Sequence, residues 1–112
     1  MNEIPKRIER GLRELAAVAH GEELRRALVP LSEAFEAWKS GSFSSGVLSE
    51  RIHEFHEGPA QELFVRYNPK LARASVARAI ATGILDREKV RHEILTYLEN
   101  TIEVYTQEEG NP

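Results

Sequence analysis

Imidazole and carboxylate side chains are concentrated in the segment Glu50–Glu57, with the sequence ERIHEFHE. On a helix with about 100° per residue and Leu48 at 0°, His56 lies near 80° and His53 near 140°. On the same scale Glu57 lies at about 180° and Glu50 at about 200°. One flank of a predicted helix therefore carries two imidazoles and two carboxylates, a ligand set that suits Zn²⁺ and other divalent transition metals.

The spacing of these side chains matches no complete metal motif. The two histidines are three residues apart, whereas zinc proteases place theirs four apart on a helix. We therefore expect no cofactor and a structural role, with His56 hydrogen-bonded at the edge of the core and His53 exposed. The alternative is a divalent metal site with His53, His56 and Glu57 as ligands, in a metal-dependent or histidine-using enzyme.

A second polar group, Arg66-Tyr67-Asn68, follows about ten residues later. Between the two groups, Gly58-Pro59 predicts the end of one helix and the start of the next. This turn would bring Tyr67 or Asn68 beside His56. We predict a polar cluster of His56, Arg66, Tyr67 and Asn68, in which a hydrogen bond to His56 fixes the corner between two short helices.

Charge is unevenly distributed along a chain whose formal net charge is −3. Residues 64–91 contain seven basic and two acidic side chains, and residues 92–112 contain five acidic and no Lys or Arg side chains. Within the basic segment, Ala79–Ile84 resembles the turn of a helix-turn-helix, which would direct Arg87, Glu88 and Arg91 toward bases. The mild net acidity argues against nucleic acid as a partner. A nucleic-acid-binding module that uses residues 66–91 remains an alternative.

Several function classes are excluded or disfavoured by what the sequence lacks. Without cysteine there is no disulfide framework, thiolate metal site or cysteine nucleophile. No run of about 18 apolar residues predicts a membrane span, and the first residues lack the apolar core of a secretory signal. There is no Gly-rich phosphate loop and no G-x-S-x-G nucleophile motif. We expect a cytoplasmic protein without membrane association, and we lean against an enzyme.

Apolar residues recur at spacings of three and four throughout the chain, which predicts an all-α fold without a sheet. We expect a compact bundle of five to six helices, the second of them kinked near Pro30. The predicted helices are Pro5–Ala19, Glu22–Lys39, Val47–Glu57, Pro59–Tyr67, Pro69–Thr82 and Arg87–Tyr105, with a loop at Ser40–Gly46. Residues 1–106 should form a single helical domain, and residues 107–112 a frayed tail.

The second predicted helix has the most regular apolar pattern. Its apolar residues follow spacings of four, three, four and three: Leu24, Leu28, Leu31, Phe35 and Trp38. We expect Trp38 and Phe55 to be largely buried. Because the first two helices together supply more apolar surface than so small a domain needs, we also predict a homodimer.

The stretch Ser49–Asn68, and similarly Ala79–Leu85, resembles small bacterial proteins of unassigned function. The resemblance implies a bacterial cytosolic protein and transfers no activity or site residues. The sequence is thus interpreted as a small soluble helical protein, most simply a non-catalytic interaction or regulatory module whose protein partner is unknown.

Overall fold

The computed structural model describes residues 4–109, of which 85 % are helical and none lies in a strand. The predicted all-α fold without a sheet is therefore confirmed. The α-helices are α1 (Lys6–Lys39), α2 (Ser45–Phe55), α3 (Gln61–Arg66), α4 (Ala72–Ala81) and α5 (His92–Glu109). None of the helices within residues 4–109 combines the length and apolar character needed to span a membrane.

Four continuous helical segments are present in residues 4–109, because a π-helical turn at His56–Ala60 joins α2 directly to α3. The predicted five to six helices are therefore not confirmed. Short 3₁₀ turns at Pro69–Leu71 and Arg87–Lys89 precede α4 and α5. Helix α5 continues through Gln107 to Glu109, and the last three residues of the predicted tail lie outside the described residues.

Helix α1 merges the first two predicted helices into one of 34 residues. The predicted break at Gly21 is wrong, because a helical glycine costs only about 1 kcal/mol and a long helix absorbs that cost. The helix also continues through Pro30, so the predicted kink is not confirmed. Proline removes one backbone hydrogen bond, but helical residues extend on both sides of it.

The chain divides into two compact units, which we describe separately. The core unit consists of Met1–His20 and Arg66–Pro112, and the hairpin unit is Gly21–Val65. The division falls within α1, whose first half belongs to the core unit and whose second half belongs to the hairpin unit. The prediction of a single domain over residues 1–106 stays a prediction.

The core unit contains most of the buried apolar side chains. Helices α4 and α5 pack against each other, and the first half of α1 contributes a stripe at three- and four-residue spacing. Small residues on α4 permit close packing, since Ala77 and Ala79 are fully buried. The buried apolar residues are Ile8, Leu12, Ala16, Ala19, Tyr67, Val76, Ala77, Ala79, Ile80, Leu85, Val90, Ile94, Leu98 and Ile102.

The hairpin unit pairs the second half of α1 with α2 and the π turn. Helix α1 ends at Lys39, and Gly41 turns the chain with a φ of +87°, a conformation that glycine adopts without strain. The side chain of Ser44 then caps α2 by accepting a hydrogen bond from the Val47 amide at 3.1 Å. The indole of Trp38 donates to the Ser45 hydroxyl at 3.0 Å across this loop.

The Gly58-Pro59 pair does not separate two helices, contrary to the prediction. The chain instead forms the π turn His56–Ala60 and continues into α3. Pro59 lacks an amide hydrogen, and in an α-helix its ring would clash with the carbonyl of Phe55. A wider π turn relieves that clash. The structure therefore lacks the corner between two helices at which His56 was expected to act.

The start of α5 also differs from the prediction. Asp86 accepts a hydrogen bond from the Glu88 amide at 3.0 Å, which closes a 3₁₀ turn over Arg87–Lys89. Val90 is extended, and α5 begins only at His92. Asp86 thus caps the short turn and not the long helix.

Two ion-pair groups on α1 give the folded state a predictable response to acid. Arg7 holds Glu93 of α5 in a bidentate contact, with the shortest N–O distance at 2.7 Å, and these hydrogen bonds lower the pKa of Glu93. Hydrogen bonds from Arg25 and then Arg26 lower the pKa of Glu22 to about 2. A carboxylate with a lowered pKa in the folded state stabilises it above the unfolded pKa.

We expect the melting temperature to fall as the pH drops from about 4.5, the ordinary glutamate value, toward about 2, where Glu22 itself protonates. The Glu22→Gln variant should be slightly less stable than the wild type at pH 7 and equally stable at about pH 1, below the folded-state pKa of Glu22. The difference is small because both partners are exposed to solvent. Thermal melts of the wild type and of Glu22→Gln over this pH range measure the difference in stability, and Glu33→Gln on the same helix is the control. A difference between Glu22→Gln and wild type that persists unchanged down to about pH 1 would contradict the assignment.

Candidate interaction surface

The segment Glu50–Glu57, called the histidine block below, lies at the junction of α2 and the π turn. His53 is in the last turn of α2, and His56 and Glu57 begin the π turn. All three side chains are exposed to solvent, so the predicted placement of His56 at the edge of the core is wrong. Among the described residues, no three His, Cys, Asp or Glu side chains converge as metal ligands. The metal hypothesis for His53, His56 and Glu57 therefore gains no third ligand from the fold.

The members of the predicted polar cluster belong to different units. His56 is in the hairpin unit, while Arg66, Tyr67 and Asn68 are in the core unit. Asn68 caps the 3₁₀ turn by accepting from the Lys70 amide at 2.9 Å. Tyr67 is buried, and its ring stacks on His20 with ring centres 5.0 Å apart and planes inclined by 10°. A contact of His56 with this group stays a prediction.

The basic segment does not form the expected recognition helix. Arg87 lies in the 3₁₀ turn and Arg91 precedes α5, so neither is on the exposed face of a helix that could enter a groove. Arg91 instead reaches back to the Arg7 carbonyl at 3.4 Å. Arg73 lies over the ring of Tyr97, 5.2 Å from its centre. The segment is basic, but several of its cations make contacts within the core unit.

The apolar side chains of the hairpin unit are distributed differently from the prediction. Trp38 is 39 % exposed, so its expected burial is wrong, whereas Phe55 is half-buried. In residues 21–65, all of which the structure describes, the buried apolar residues are Ala34, Leu48 and Leu63. Eight large apolar residues of the same unit are exposed: Leu28, Val29, Phe35, Trp38, Val47, Ile52, Phe64 and Val65.

Five residues on the second half of α1 form a continuous apolar seam. The seam consists of Leu24, Leu28, Leu31, Phe35 and Trp38, at spacings of four, three, four and three. Leu24 and Leu31 are half-buried, and Leu28, Phe35 and Trp38 are between 38 and 43 % exposed. Leu31 and the neighbouring buried Ala34 line a groove that faces Phe55 of α2, so the seam borders the contact that closes the hairpin.

Charged residues flank the seam on one side. Relative to Leu31 at 0°, Arg25 lies near 120° and Glu36 near 140°, at about 100° per residue. Arg25 pairs with Glu22 at 3.2 Å, and Glu36 with Lys39 at 3.5 Å. Both pairs lie within one helix and are exposed, which leaves Arg25 and Glu36 open to further partners.

Comparison of the chain with protein-family models, with curated proteins and with solved structures gave no match. Periodicity correctly identified the seam residues as one face of a helix, although it assigned them to the core. The stack of His20 on Tyr67 was missed entirely, because the two residues are far apart in the sequence and no local pattern connects them.

Proposed function

We propose that this chain is a non-catalytic interaction module whose partner is a second copy of the chain, bound along the apolar seam. The observation that supports the proposal is the seam itself: five large apolar side chains in register on one helix, all at least partly exposed to solvent. Exposed apolar patches of this kind are typical of protein interfaces. Spacings of four and three are those by which two helices interlock side by side.

A second seam running antiparallel is the complementary surface. With Leu31 at the centre, Leu24 of one copy faces Trp38 of the other, and Leu28 faces Phe35. Large side chains thereby meet smaller ones at each end, and two-fold symmetry repeats every contact, as in an isologous dimer. Coiled-coil packing of this type buries the seam residues in holes between four side chains of the facing helix.

The flanking charges favour the same orientation. In an antiparallel pair, Arg25 of one copy comes near Glu36 of the other, because both lie on the same side of the seam, six residues before and five residues after Leu31. The pairing forms twice by symmetry. In a parallel pair, two-fold symmetry would put the Arg25 and Glu36 flanks of the two copies on opposite sides of the seam, so this charge pairing could not form.

Sedimentation of the full chain over a range of concentrations tests the proposal. We expect a concentration-dependent dimer, with association in the micromolar range. The Phe35→Glu variant places a carboxylate within the seam and should raise the dissociation constant by at least about tenfold. Phe64→Glu is the matched control, since it makes the same change at a phenylalanine that is 69 % exposed and outside the seam.

The orientation of the pair is tested by charge reversal. Arg25→Glu alone, or Glu36→Arg alone, should weaken the dimer, and the two changes together should restore it. Circular dichroism at 222 nm verifies that each variant keeps its helix content. A wild-type chain that remains monomeric at about 200 µM, which corresponds to roughly −5 kcal/mol, would refute self-association. Equal effects of Phe35→Glu and Phe64→Glu would place the contact elsewhere.

A further inference from the structure

The core unit contains a cavity of about 310 Å³ between the first half of α1 and the start of α4. That volume is at the lower end of the range in which proteins hold small organic ligands. Small apolar groups form much of the wall, namely Ala16 and Ala17 of α1, together with Pro69 and Ala72. The stacked rings of His20 and Tyr67 complete the wall on one side.

The polar character of the cavity is that of an anion site. Arg13 and His20 both line it, about two helical turns apart on α1. Among the described residues that line the cavity there is no Asp or Glu to neutralise Arg13. Ala72, the first residue of α4, is also part of the wall, so the positive end of that ten-residue helix lies at the cavity.

His20 presents an imidazole ring at the cavity wall. Its ring is half-buried and stacks on Tyr67, which is 8 % exposed and holds the imidazole plane in place. Within residues 4–109, no protein group hydrogen-bonds the nitrogens of the His20 ring. The ring nitrogens are accessible to solvent, so they are open to a hydrogen bond with a ligand in the cavity.

We propose that this cavity binds a small carboxylate with a flat apolar body. Arg13 provides a charge-assisted hydrogen bond to the carboxylate, and the His20 ring donates a second one. The apolar body lies against the alanine and proline wall, where it can extend the stack that His20 and Tyr67 begin. A bare inorganic anion would satisfy the cation and the imidazole but would leave the apolar wall in contact with water.

Benzoate is the probe, and benzamide is its neutral isostere. We expect the His20 ring signals to shift when benzoate is added to the full chain in a nuclear magnetic resonance titration. The shift should saturate at a benzoate concentration of about 20 mM or lower. Arg13→Gln should weaken benzoate binding by at least about tenfold, the effect of losing one charge-assisted hydrogen bond. Arg10→Gln is the matched control, because it removes a charge from the same helix at a residue outside the cavity wall. Benzamide should bind at least about tenfold more weakly than benzoate.

Several results would overturn the proposal. Failure of benzoate to saturate, equal binding of benzamide, or unchanged binding by Arg13→Gln would each show that the cavity does not select a carboxylate. If inorganic phosphate binds as tightly as benzoate, the apolar body makes no contribution and the proposal is also wrong. His20→Phe provides a second variant that keeps an aromatic ring on Tyr67 while removing the nitrogens, and it too should abolish the selectivity for benzoate. Amide spectra that match those of the wild type establish that each variant is folded.

Discussion

Replacing Leu98 by alanine lowers the free energy of unfolding by about 3–5 kcal/mol. Leu98 is completely buried in α5, which packs against α4 in the core unit. Truncation removes its transfer free energy and leaves a cavity that the surrounding side chains fill only in part. The neighbours on both sides along the same face, Ile94 and Ile102, are themselves buried at 1 % and 3 % exposure and have little freedom to move inward.

Denaturant unfolding followed by circular dichroism measures this loss. Because self-association would add to apparent stability, all variants are compared at one fixed protein concentration. Val104→Ala is the control on the same helix, since Val104 is exposed and its truncation should change stability by less than about 0.5 kcal/mol. A loss below about 1 kcal/mol for Leu98→Ala would contradict the position of the core.

Two glycines of α1 should respond in opposite directions to the same substitution. A Cβ atom at Gly11 would lie 2.6 Å from Cδ1 of Ile94 and 2.6 Å from Nη2 of Arg91. Ile94 is almost fully buried, so it has no free space into which to move. Gly11→Leu forces α1 away from α5 and should destabilise the chain by about 2–3 kcal/mol, the usual cost of overpacking.

The matched change at Gly21 meets no obstacle. Nothing lies within 4 Å of a Cβ atom there, and the residue is exposed. Gly21→Leu therefore acts only through helix propensity and should stabilise the chain by about 0.5–1 kcal/mol. Chemical denaturation of the two variants beside the wild type checks both signs. Destabilisation by Gly21→Leu would mean that this part of α1 depends on the flexibility of glycine, and stabilisation by Gly11→Leu would mean that α1 does not approach α5.

Helix content was predictable because the periodicity of apolar residues is a local property of the sequence. Helix boundaries were less predictable than helix content. The wrong boundaries at Gly21 and Pro59 have one physical cause. Gly21 and Pro59 were interpreted as stops, since each is unfavourable in an isolated helix. Within a longer helix the cost of Gly21 is small, and Pro59 is accommodated by a wider turn.

The position of the core was the least predictable feature. Periodicity shows which face of a helix is apolar, but whether another element covers that face depends on contacts between distant parts of the chain. Trp38 and Ile94 both lie on regular apolar stripes, yet one is 39 % exposed and the other is buried. The first half of α1 meets α4 and α5, whereas the seam on its second half lies beside the contact with α2.

The same limit applies to the candidate sites. The seam residues were identified from the sequence, because their spacing is visible in one helix. The cavity around His20 was not, because Arg13, Tyr67 and Ala72 come from three parts of the chain that only the fold brings together. The histidine block was the most prominent chemical feature of the sequence, yet its side chains are exposed and converge on no third ligand in the described part of the chain.

The π turn at His56–Ala60 bears on where this chain tolerates a change in length. A π turn holds one residue more than an α turn, which corresponds to about 100° of helix rotation. With one residue omitted from the count, Leu63 lies about −40° from Leu48, close to Phe55 at about −20°. Deletion of Pro59 therefore keeps Leu63 facing inward and also removes the ring that an α turn could not hold, whereas a one-residue deletion in the middle of α2 would rotate every later residue. Sequence variants that differ in length by one residue should be accommodated at this turn.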